Sequence, residues 1–125
     1  MPINAMLPYD ETNIFAKILR GELPNRTVYE DEWVLAFHDI APQAPTHILV
    51  IPKGDYVSWD DFSSKASDTE IAAFVRAVGK IARDLGLPAQ GYRLLANTGL
   101  DANQEVSHFH MHILAGKPMG PLLAR

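Results

Sequence analysis

His108-Phe109-His110-Met111-His112-Ile113-Leu114 alternates histidine with large apolar residues. A period of two is the period of a β-strand, on which successive side chains face opposite ways. The run predicts a strand with His108, His110 and His112 on one face and Phe109, Met111 and Ile113 on the other, turned to a core. Three of the chain's five histidines gather there. Each titrates near pH ~6.5 when unperturbed, so packing alone gives no reason to line a strand face with them. The plain alternatives are a solvated polar face or a purification tag, and the interleaved Phe, Met, Ile and Leu argue against a tag.

The remaining composition narrows the class. A chain of 125 residues holds one core and is short for two ordinary domains. At 47% apolar and 21% charged residues it reads as a soluble globular protein. A net charge of −4 gives no basic footprint, so no nucleic-acid partner is expected. Zero cysteines exclude disulfides, thiolate nucleophiles and Cys-ligated zinc. No basic stretch followed by an apolar one precedes Asn13, and no apolar run approaches the ~20 residues that span a bilayer. The expectation is a cytoplasmic protein with no membrane partner.

Along the chain, residues 1–11 read as a flexible N-terminal arm. Thr12 or Asn13 caps a short helix carrying Ile14, Phe15, Ile18 and Leu19, which stops at Gly21 before Pro24. Thr27–Glu30 and Trp33–His38 read as strands around an Asp31-Glu32 turn. Two prolines make Ala41–Pro45 a loop. Thr46–Ile51, rich in β-branched residues, is a strand stopped by Pro52. Ser67-Asp68-Thr69-Glu70 is a capping box. Behind it, Ile71, Phe74, Val75, Val78, Ile81, Ala82 and Leu85 form a helical apolar stripe up to Gly86. Asp60-Asp61 reads as cap or turn, and Trp33 and Trp59 as packing. Tyr92–Ala96 is a further strand, and a polar loop, Asn97–Val106, leads to the histidines. The order predicts an α+β fold: a mainly antiparallel five-stranded sheet with one long and one short helix, in a single domain of residues 1–125.

Two chemistries compete for the histidine strand. Histidines at i and i+2 can chelate an ion, but the outer two lie roughly 13 Å apart along a flat strand, and the run holds no carboxylate. Alternatively, a neutral imidazole attacks phosphorus through one nitrogen while its other N–H is held by a hydrogen bond, and a second histidine protonates the leaving group. The loop Asn97-Thr98-Gly99-Leu100-Asp101-Ala102-Asn103-Gln104-Glu105 offers amide and backbone donors to a phosphate.

The pattern His108 to Leu114 resembles the signature of the histidine triad superfamily. Asn13–Ile18, Ala36–His47, Val50–Lys53 and Gly116–Pro121 are similar to its Hint branch, so that the likeness spans roughly residues 12–121. The resemblance implies a hydrolase or transferase that cleaves the P–N or P–O bond of purine nucleoside 5′-monophosphate amides or esters, such as AMP or GMP conjugates. It makes His110 the nucleophile that forms a nucleotidyl-histidine, with His108, His112 and His47 orienting it and assisting the phosphate and leaving group. It places Asp39 at the ribose hydroxyls, and Phe15, Ile18, Phe37, His38 and Ile40 around the base. It puts Asn97, Asn103 and Gln104 at the phosphate, with Glu105 acting through its backbone N–H. No metal or other cofactor is implied. A homodimer is, in which two sheets join into one larger sheet. An edge strand at Tyr92–Ala96 and apolar Met119, Leu122 and Leu123 in the 117–125 tail agree with a two-fold mate.

Taken singly, several of these residues have plainer readings. His47 serves equally as a satisfied buried histidine, Asp39 as a turn residue, Asn97 as a turn former, and Phe15 and Ile18 as core. Two further function classes stand beside the enzyme: a non-catalytic purine-nucleotide-binding module and a metal-dependent hydrolase.

Overall fold

Asn13 starts the first helix. In the computed structural model, which describes residues 1–123, its side chain accepts from the Ala16 N–H at 2.8 Å, satisfying one of the donors that a helix start leaves free. Helix α1 spans Ile14–Leu19 and gives way at Gly21, whose φ of +77° glycine takes without strain. Strands β1 (Thr27–Glu30) and β2 (Val34–His38) form a hairpin. Its turn is tied by the Asp31 carboxylate, which accepts from the Trp33 and Val34 N–H groups at 2.7 and 2.9 Å. Strand β3 runs Thr46–Pro52, one residue beyond the expected stop. Proline is tolerated there because the strand is ending.

The sheet order is β1-β2-β3-β5-β4, every pair antiparallel, with β4 at Arg93–Leu95 and β5 at Met111–Ala115. The ladder of β5 therefore begins at Met111 and not at His108. Residues 108–110 approach as extended chain, and the Phe109 N–H donates to the Tyr56 carbonyl at 2.7 Å.

Helix α3, Asp68–Asp84, has the expected capping box from Ser67 and Glu70. Two members of its expected stripe are corrected. Val75 and Leu85 are 60% and 48% exposed, and the buried line runs through Phe74, Ala77, Val78, Ile81 and Ala82. Val75 lies about 100° around the helix from Phe74, which takes it off that line. A second correction is a helix absent from the sequence reading: α2, Trp59–Lys65, capped by Ser58 and braced by a Lys65–Asp61 ion pair. Among the described residues two short α-helices and a 3-10 turn at Leu87–Ala89 thus accompany the long helix. Seven residues with Phe62 as their one buried side chain are too short for an apolar period to show.

Alternation along the strands divides the core between the two faces of the sheet. Val34, Ala36, Ile48, Val50, Phe109 and Ile113 pack with Phe62 and Phe74 from α2 and α3. Leu35, Phe37, Leu49 and Ile51 turn the other way and meet Phe15 of α1. A six-residue helix covers only part of that second face, and the histidines lie on it. The N-terminal arm has no helix or strand, but hydrogen bonds from Ile3 and Tyr9 tie it to the body of the fold.

Candidate active site

His110 is 7% exposed, and its Nδ1 lies 2.8 Å from the carbonyl oxygen of His108. A carbonyl can only accept, so the ring carries its proton on Nδ1 and leaves the Nε2 lone pair bare. Burial holds its pKa below the ordinary histidine value, which keeps that lone pair available at neutral pH. Phe15 stands edge-on to the ring, centroids 5.0 Å apart.

The protons on the next two rings are set in the same way. His47 Nδ1 accepts from the Gln43 backbone N–H at 3.0 Å, so a neutral His47 is protonated at Nε2. That atom lies 2.8 Å from His112 Nδ1 and 3.4 Å from Asp39 Oδ2. His112 therefore accepts at Nδ1 and carries its own proton on Nε2. Burial, then the nearby His110 and His47, push its pKa down to about 4. His47 is also lowered by burial, against the opposing pull of Asp39.

A cavity of about 360 Å³ opens beside these rings, within the size range of small-molecule sites. It is lined by His47, His110 and His112 together with Phe15, Ile18, Phe37, His38, Asp39, Ile40, Asn97, Asn103 and Glu105. The sequence reading missed Ile14, Leu49 and Val106, whose apolar side chains look like ordinary core. It also missed Gln43, whose part is played by its backbone. The Asp39 carboxylate accepts from the Ala41 N–H at 2.8 Å, which fixes its orientation. Asp39, His47 and His112 also bring ligand atoms within 4.8 Å of one another, the donor set that a divalent metal would use.

Two expected site residues stand apart from the cavity. Gln104 is 1% exposed; its Nε2 donates to the Val57 and Val106 carbonyls at 2.7 and 2.9 Å, and its Oε1 accepts from the Gly99 N–H at 2.9 Å. Its amide is committed to joining two loops, and its side chain does not line the cavity. His108 is fully buried, with Nε2 2.8 Å from the Pro52 carbonyl oxygen and Nδ1 2.6 Å from the Tyr9 hydroxyl. Its ring does not line the cavity, and it meets His110 through its carbonyl. Its pKa falls to about 4, mainly from burial.

A HIT domain family model matches residues 20–119. The chain belongs to the HIT domain family. It is 59% identical over 117 residues to an uncharacterized 13.2 kDa HIT-like protein of Azospirillum brasilense, covering 94% of this chain and 96% of that one. It is 46% identical over 114 residues to the purine nucleoside phosphoramidase of Escherichia coli K12, covering 91% and 95% of the two chains. Among solved structures, a HIT family hydrolase from Clostridium thermocellum superposes with a TM-score of 0.79 at 39% identity, covering 92% and 99%. A histidine triad protein from Clostridium difficile gives 0.78 at 44% identity, covering 88% and 95%. The five-stranded antiparallel sheet is thus that of the HIT fold, and no helix among the described residues is long and apolar enough to cross a membrane.

Proposed function

We propose that this HIT protein is a purine nucleoside phosphoramidase-type hydrolase that works through a nucleotidyl intermediate on His110. The observation that carries this reading is the proton placement on that ring: Nδ1–H held by the His108 carbonyl, and a bare Nε2 on the wall of a nucleotide-sized cavity. A binding module has no need of such a nitrogen. The Escherichia coli relative named purine nucleoside phosphoramidase supports the substrate class.

In the first step His110 Nε2 forms a bond to the α-phosphorus, the P–N bond breaks, and the leaving nitrogen takes up one proton. In the second, water attacks phosphorus, the P–Nε2 bond breaks and one proton is released, so the cycle balances. The His112–His47 pair carries that proton. Burial keeps it neutral at rest, and a phosphate anion arriving beside it favours the charged form. Asp39 faces the pair and adds to the same effect. The nucleotidyl-imidazolium on His110 keeps its Nδ1–H bond to the His108 carbonyl. Asp39 also accepts from the ribose hydroxyls, and Phe15, Ile18 and Phe37 hold the base. No metal takes part in either step.

His110→Ala is expected to abolish hydrolysis of an adenosine phosphoramidate while AMP still binds. Mass spectrometry of an acid-quenched reaction should find the nucleotidyl group on His110. Near-normal kcat in the variant, an adduct on another residue, or activity that a chelator removes and Zn²⁺ restores would overturn the reading.

A further inference from the structure

The N-terminal arm, none of whose residues lines the cavity, touches the chain that leads into β5. The Ile3 N–H donates to the Gln104 carbonyl at 2.7 Å. Tyr9, half-buried, sets its ring edge-on to His108 with centroids 5.5 Å apart, and its hydroxyl is 2.6 Å from His108 Nδ1. The far side of the imidazole decides which partner donates. His108 Nε2 lies 2.8 Å from the Pro52 carbonyl oxygen, so the proton of the neutral ring sits on Nε2 and Nδ1 accepts from Tyr9. Both nitrogens of a fully buried ring are thereby satisfied, and one of the partners comes from outside the triad strand.

The position of Tyr9 is itself set by the start of α1. Asp10 accepts from the Thr12 N–H at 2.9 Å through its side chain and from the Asn13 N–H at 3.1 Å through its carbonyl. The Arg20 guanidinium donates to the Glu11 carbonyl at 3.0 Å. The same Asn13 caps the helix that presents Phe15 to both His108 and His110, at 6.5 and 5.0 Å.

We propose that Tyr9 is a positioning residue for the nucleophile: its hydroxyl locks the His108 ring between the arm and Pro52, and so steadies the His108 carbonyl that holds the proton on His110 Nδ1. Reactive groups need placement within about 0.5 Å and 10–20°. Residue 108 lies outside the β5 ladder, so its ring contacts do what strand pairing does for residues farther along. The proposal rests on His110 being the nucleophile, and its test has an arm independent of turnover.

Tyr9→Phe keeps the ring and its edge contact and deletes the hydroxyl. With an adenosine phosphoramidate, kcat should fall about three- to tenfold with KM nearly unchanged, the loss of one buried hydrogen bond expressed in the transition state. In ¹⁵N-edited NMR of the free protein, the His108 Nδ1 signal should leave its hydrogen-bonded position, and the His110 Nδ1–H should exchange faster with solvent. A lowered Tm with unchanged kcat and unchanged His110 exchange would show a merely structural tyrosine and overturn the proposal. So would a fall in kcat/KM carried by KM alone. If the parent protein turns over no phosphoramidate, the proposed function fails by itself, and the two NMR signals still decide for or against Tyr9.

Discussion

Replacing Gln104 by alanine separates a scaffold residue from a substrate contact. Its amide makes three hydrogen bonds, to Gly99 N–H, the Val57 carbonyl and the Val106 carbonyl. At 1% exposure the variant leaves those backbone groups poorly solvated. Each unsatisfied buried group costs about 1–3 kcal/mol, and partial relaxation or an entering water recovers some of it. A net loss of about 3–4 kcal/mol is expected, or a Tm lower by roughly 10–15 °C for a domain of this length. Gln104→Glu sharpens the test, because a carboxylate keeps the acceptor for Gly99 but turns lone pairs on two carbonyls. It should be at least as destabilised at pH 7 and regain stability on acidification as the new side chain gains a proton to donate. Urea melts of both variants, with AMP titration at a temperature where each is folded, measure both quantities. An unchanged midpoint together with weakened AMP binding would refute the reasoning and return Gln104 to the phosphate.

Asp39→Ala should erase discrimination between ribo- and 2′-deoxyribonucleotide phosphoramidates, which the parent should show as roughly tenfold or more in kcat/KM; equal turnover of both sugars by the parent would remove Asp39 from the ribose. Acid should destabilise the fold between pH 6.5 and 4. His108, held at about 4, stays neutral there while the unfolded chain binds the proton, costing about 3 kcal/mol by the lower end. The carboxylates of Asp31 and Asp61, held below their ordinary value, lose their contribution at lower pH still, so a urea midpoint that stays flat from pH 7 to pH 4.5 would contradict the histidine account. The β4 edge, with Leu94 at 43% exposure, should pair with a second copy, and light scattering should give twice 13.9 kDa; a monomeric mass with full activity would refute it. Arg93 holds the Gly120 and Pro121 carbonyls at 3.0 and 3.3 Å, and deleting residues 117–125, whose last two lie outside the described residues, should change KM or leaving-group preference if the tail reaches a partner's site.

Period and punctuation carried most of the fold. The β-branched run at 46–51 and the Ser67 capping box each pointed to an element found at that place, and the alternation at 108–114 to one whose ladder begins only at Met111. What escaped were features without a repeat: α2, too short for one, and the docking of the arm, which depends on a single tyrosine. The cavity wall was readable where a histidine stands inside an apolar run, whereas Asp39, an ordinary turn residue by itself, came only with the family resemblance. It was unreadable where the side chain is common and its partner distant. Gln104 and Val57 lie 47 positions apart, Tyr9 and His108 99. Nothing in either neighbourhood announces the other.

The histidines were legible as a group, but their tautomers were not, because those are assigned by the backbone. The Pro52 carbonyl puts the His108 proton on Nε2; two residues later the His108 carbonyl puts the His110 proton on Nδ1. The Gln43 N–H puts the His47 proton on Nε2, and His47 hands the same tautomer to His112. Histidines two residues apart thus receive opposite tautomers: one ring seals the core, and the next offers a free nitrogen to the cavity. Burial completes the division by keeping all of these rings neutral near pH 7. A protonated array would have no lone pair to offer and would repel its own members. The apolar residues interleaved with the histidines, which anchor this segment in the core, therefore bear on the proposed chemistry, since they bury the backbone that leaves His110 Nε2 bare.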